Sequence, residues 1–332
     1  MAAGLDLDEL IHRADLDGLI RLIDSCCTSR DWAALFDIRQ RSRAAMTTGR
    51  QLWPAATLAE YRLALWADAP WACKVLDDDS GRFSIGPLSE VASQRHSFAE
   101  LAAHLPSDHR LGLIAHERSL RGDEIVSTTP NTLELPFLVQ PWEPQYQIAE
   151  YSDDGVDAPS PELPNLSEFR LVDLGTIGAS GCEIVDDPDV HSAVRQLLDG
   201  WTAASTGKAE VLCVEGSAAQ AVDALGASHV SMAPLSLAAA LAWLGWAGAS
   251  GGAQGRRRGA ALGRFGAWSV AIALADIDAD WVDDADHIGA VLAGLNWFWW
   301  SAGEPSLGWE LQLAVEDVLS GYAWVISAHD AA

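Results

Sequence analysis

Residues 310–327, ELQLAVEDVLSGYAWVIS, decide how the C-terminal half of the chain folds. Glu310–Val315 and Tyr322–Ser327 read as two alternating runs, and a period of two is that of a strand with one face buried. Ser320-Gly321 lies between them and supplies turn residues, so the chain is predicted to close with a β-hairpin.

Working back from the hairpin, strands and helices interleave. Ile288–Trp299 places Ile288, Val291, Leu292, Leu295 and Trp299 in helical phase, and Leu237–Ala247 and Ala260–Ala275 read as apolar helices. Val211–Val214 has the apolar run of a buried strand, with Ser217 capping a helix over Ala218–Leu225. Asp187-Pro188 opens another helix, whose Val194, Leu197, Leu198 and Trp201 share a face. Arg170–Leu174 and Cys182–Val185 are strand candidates on either side of the Gly175–Gly181 loop. A mixed sheet covered by helices accommodates this order.

Residues 1–126 carry a different pattern, a series of helices joined by short polar connections. Trp32, Leu35, Phe36 and Ile38 line one stripe, Pro54 opens the next helix, and Ser97 with Glu100 forms a capping box. The series is repeat-like but has no convincing internal period. Between the halves, residues 127–167 hold seven of the fourteen prolines, which excludes a long helix. Leu133, Leu135, Phe137 and Val139 alternate there and suggest one edge strand, with a linker over Ser152–Ser167. The expected class is therefore α+β: a helical domain over 1–126, a Pro-rich linker or edge segment over 127–167, and an α/β domain over 168–332.

The formal charge is −26, from 47 acids against 21 bases. Residues 127–332 hold 28 of the acids and 7 of the bases, a net of −21. That field repels nucleic-acid phosphates and anionic lipid heads, which argues against both as partners. Five cysteines without a C-x-x-C pair argue against a disulfide framework, and MAAGLDLDEL has no secretory pattern. The most apolar run, Leu235–Ala249, is shorter than a membrane span needs. A cytoplasmic protein with no cofactor is the expectation.

Against the acidity, Gly248–Gly266 concentrates four bases. A helix starting near Gln254 or Gly255 would put Arg256, Arg257 and Arg258 in its first turn, opposing the helix dipole, and Arg264 two turns on. Gly252 and Gly255 would leave backbone N–H groups open to an anion. The competing reading pairs these arginines with the protein's own carboxylates. It uses Gly259, Gly263 and Ala267 as the small face on which a second helix rests, and it is preferred because no phosphate-loop signature is present.

Other constellations are weaker. Asp276, Asp278, Asp280 and Asp284 fall at calcium-loop positions, but Trp281 stands where the turn needs Gly and His287 where Glu belongs. Among His96, His104, His109 and His116, His104 stands i, i+4 to Glu100 and the two could share a metal, but no Cys joins them and H-E-x-x-H is missing; Gly175, Gly178 and Gly181 lack the following helix of a dinucleotide site. Ser217 after Glu215-Gly216 reads as a cap, and Trp297–Trp300 as core. No complete catalytic motif is present, so whether the chain is an enzyme stays open at this level. The sequence favours a protein-interaction or adaptor role with another protein as partner. The alternative is an enzyme or binding protein for a small anionic ligand held by the Gly/Arg segment.

Overall fold

The computed structural model describes residues 6–77, 80–172, 182–227, 230–277, 285–303 and 308–331. It is an α+β protein of two compact units. Residues 1–132 with 149–157 form the first, and 133–148 with 158–332 the second.

The first unit is built of helices that begin at Leu7 and end at Ser119. Aspartates make the early boundaries: Asp6, Asp15 and Asp31 each accept a backbone N–H from the first turn that follows. Leu19, Ile23, Leu35, Ile38, Leu63 and Leu65 form its interior, and Arg39 donates to Glu60 at 3.1 Å inside it. Ser97 and Glu100 make the capping box read from the sequence. Two short strands, β1 (Glu150–Tyr151) and β2 (Val156–Asp157), return to this unit as an antiparallel pair. They are fixed by Tyr151 Oη donating to buried Glu90 at 2.6 Å and by Tyr61 Oη donating to the Ser152 carbonyl at 2.6 Å.

Among the described residues the second unit carries seven strands: β3 (Arg170–Val172), β4 (Glu183–Val185), β5 (Lys208–Glu215), β6 (Val230–Leu235), β7 (Asn296–Ser301), β8 (Trp309–Asp317) and β9 (Tyr322–Asp330). They lie in the order β3-β6-β7-β8-β9-β5-β4. Every neighbouring pair is antiparallel, so the sheet is not of the mixed kind the interleaved elements suggested. The closing hairpin is present as β8–β9, with Leu313 opposite Ile326 and Val315 opposite Trp324. The helix Ala218–Ala224 packs on one face, against Val214, Met232, Trp300, Ala323 and Val325. The other face meets the helices Pro188–Leu197 and Leu237–Ala249, the latter backed by Ala260–Leu274.

Three local expectations change. The chain at Trp297–Trp300 is strand β7, and the preceding helix ends at Leu292. Both faces of this strand are covered, so four aromatics in a row replace the alternation that would have revealed it. Strands β3 and β4 occupy opposite margins of the sheet instead of flanking a hairpin, since each pairs with a sequence-distant strand. Residues 133–139 form no strand; Glu134 sits at φ +55° and Pro136 follows. The segment packs instead through Leu135, Glu143 and Tyr146, all buried in the second unit.

Candidate functional site

A concavity lies where β4, β5 and β9 meet two helix ends. Cross-strand partners share a face of the sheet. Val185 stands opposite Cys213, and Cys213 opposite Trp324; all three line the cavity. One row on, with the same facing, Glu183 pairs with Glu215, Glu215 with Tyr322, and Tyr322 with Asp317. One side of the helix Pro188–Leu197 forms a second wall, through Asp189, Ser192 and Gln196. The end of the helix Ala260–Leu274 forms a third, through Ser269 and Ala273, followed by Asp276. The volume of this open cleft is about 850 Å³, within the range of ligand-binding clefts.

The charge on the lining is of one sign. Among the described residues, Asp186, Asp187, Asp189, Asp276 and Asp317 line it, and no Lys, Arg or His does. Asp187 is structural: one oxygen accepts the Val190 N–H at 3.1 Å and the other the Trp324 indole N–H at 2.8 Å. Asp317 accepts the Leu319 N–H at 2.9 Å. The Ser320 hydroxyl, together with backbone N–H groups, holds the Asp317 carboxyl below the usual carboxylate range, so it is ionised at neutral pH. Asp186, Asp189 and Asp276 are exposed at the rim. Burial, with the Asp187 charge added, pushes the Cys213 thiol up to about 11, which keeps it a protonated wall atom and not a thiolate. A concave surface of one sign with apolar walls focuses the field and concentrates counter-charged ligands. What this arrangement can do chemically is capture a cation.

The Gly/Arg segment read from the sequence takes another course. Its helix begins at Ala260, after Gly259 at φ +102°, so Arg256, Arg257 and Arg258 precede the helix instead of occupying its first turn. Gly252 and Gly255 belong to a turn whose Ala253 N–H donates to buried Asp330 at 2.6 Å. Arg258 donates to the carbonyls of Gln196 and Leu197 at 2.9 and 3.4 Å, placing a cation at the C-terminus of the helix Pro188–Leu197. Arg256 is exposed and Arg257 half-buried in the same irregular stretch.

Arg264 is fully buried against Glu143, donating from Nε at 2.7 Å and from Nη2 at 2.6 Å. Its remaining N–H groups go to the carbonyls of Pro136, Phe137 and Leu138. The structure therefore uses Arg258 and Arg264 as internal braces and does not gather the four arginines on one surface. Gly263 has the close-approach role read for it: a Cβ there would overlap the Gly245 carbonyl and meet the Ala249 Cβ at 2.8 Å.

The remaining candidates resolve simply. His96 Nε2 lies 3.0 Å from the Ala67 carbonyl, and His116 Nε2 lies 2.9 Å from Asn131 Oδ1. Among the described residues no group of three or more His, Cys, Asp or Glu side chains is placed to hold a metal. Ser217 caps its own helix with Gln220. Trp299 joins a buried aromatic cluster with Trp201, Trp243, Trp246 and Trp309, with centroids 4.5–6.5 Å apart. The Gly175–Gly181 loop and the aspartates 278, 280 and 284 lie outside the described residues. No described helix is long and apolar enough to cross a membrane.

Sequence reasoning missed the cleft because its acids are scattered over 186–189, 276 and 317. The run Asp186-Asp187-Pro188-Asp189 is a visible signal, but within it Asp187-Pro188 reads as the start of a helix.

Matched over residues 17–332, the chain belongs to the family of unknown function DUF6183. Neither the curated proteins nor the solved structures contain a match.

Proposed function

We propose that this protein is a protein-interaction module whose C-terminal unit captures a lysine- or arginine-bearing segment of a partner in the acidic cleft. The observation that carries the reading is the cleft of about 850 Å³, lined among the described residues by five aspartates and no base. The net charge of −21 over residues 127–332 extends the same field outward and speeds the encounter. Apolar Val185, Ile272 and Trp324 on the walls suit the methylene stems of such side chains.

The test is fluorescence anisotropy with a labelled lysine-rich peptide at about 50 mM and about 200 mM salt. Binding should weaken with salt, and the double variant Asp186→Asn/Asp189→Asn should lose at least about tenfold in affinity. Neutralising two exposed acids of the first unit, Asp17→Asn/Asp24→Asn, should change affinity less than about twofold. Equal losses from both double variants would mean diffuse attraction to an acidic protein and would overturn the site.

A further inference from the structure

The margin of the sheet opens onto this cleft. In the order β3-β6-β7-β8-β9-β5-β4, β4 comes last, and among the described residues its only strand partner is β5. An antiparallel partner uses the N–H and C=O groups of alternate residues, so the others point outward from the edge. Edge strands are commonly blunted by Lys, Pro or a covering element. Strand β4 reads Glu183-Ile184-Val185, with Ile184 61% exposed.

The two faces of this edge differ in character. Val185 lines the cleft and Glu183 shares its facing, whereas Ile184 looks to the opposite side. A strand added about 4.8 Å beyond β4 would alternate in the same way. Its cleft-side residues would lie beside the exposed carboxylates of Glu183, Asp186 and Asp189, and the residue between them beside Ile184.

We infer that the partner segment binds as an extra strand on β4, with Lys or Arg at every second position over the cleft and an apolar residue between. This rests on the cleft reading above and adds to it a backbone pairing and a sequence rule. Charge complementarity selects the occupant: Glu183 at the edge and the acids beside it repel an acidic strand and favour a basic one.

The experiment uses the full-length protein and three labelled heptapeptides of one composition, four Lys and three Val. In the first the residues alternate, in the second the lysines are contiguous, and the third repeats the alternating order with two alternate backbone amides N-methylated. Strand addition predicts that the first binds at least about tenfold tighter than either of the others. It also predicts that the first slows amide hydrogen exchange within residues 183–185. If all three bind equally, charge alone acts; strand addition is then overturned while the cleft reading stands. If none binds, both are overturned. Concentration-dependent self-association of the free protein that the alternating peptide does not dissolve would give the edge to a second copy and also overturn the inference.

Discussion

The buried ion pair of Glu143 and Arg264 gives the sharpest quantitative test of how the second unit is held together. Their side chains are 0% and 1% exposed. Glu143 Oε2 accepts from Arg264 Nε, Trp268 Nε1 and Tyr146 Oη, while Oε1 accepts from Arg264 Nη2 and the Gln140 N–H. Glu143→Gln keeps the shape, removes the charge and forces an amide NH₂ against groups that are all donors. A guanidinium left without its counter-charge in the interior costs about 3–5 kcal/mol. At roughly 2–4 °C per kcal/mol for a unit of 150–250 residues, the melting transition of this unit should fall by about 6–20 °C in calorimetry. Arg264→Met should also destabilise, but adding it to Glu143→Gln should cost much less than the sum, since the uncompensated charge is then gone. A Glu143→Gln shift below about 2 °C, or strict additivity in the cycle, would refute a buried, mutually dependent pair.

Three further outcomes follow from the packing and the titrating groups. Gly263→Ala should destabilise by about 1–3 kcal/mol through the clash with the Gly245 carbonyl, read as a lower urea midpoint at unchanged slope; an unchanged midpoint would mean the two helices do not touch there. Burial, reinforced by the Glu143 charge, holds the Tyr146 phenol well above 10, and burial lifts Tyr61 to about 12. Their folded-state values are raised, so their contribution to stability is intact below pH 10 and is lost as pH rises from there. Tyrosinate absorbance should show these two phenols lagging, and Tyr146→Phe should cost about 1.5–3 kcal/mol at neutral pH. Asp77 is pushed up by burial, but its hydrogen bonds from Ser80 and Arg39 and the Arg43 charge outweigh this and bring it below 3.8. Its contribution is present above that pH and fades as pH falls below it, so Asp77→Asn should flatten the acid limb of the first unit's stability curve. Its side chain is 40% exposed, so the loss at neutral pH should be no more than about 1 kcal/mol.

Features set by local chemistry are legible along the chain. The aspartate and serine caps, the apolar helices Leu237–Ala249 and Ala260–Leu274, and the β8–β9 hairpin all follow from neighbours in the chain. So does the small residue at Gly263 that lets two helix backbones meet. The other features depend on the folded arrangement, because pairing partners and charge neighbours come from distant positions. Strand β7 was hidden by burial on both its faces, and β3 and β4 could not reveal that they sit at opposite margins.

The arginine segment stood out by composition alone, but only packing could show that Arg264 meets Glu143, 121 positions earlier in the chain. Conversely, Asp186, Asp276 and Asp317 look like ordinary solvated acids until the sheet and two helix ends bring them around one cleft. A field is a sum over space, and one-dimensional order does not contain those distances.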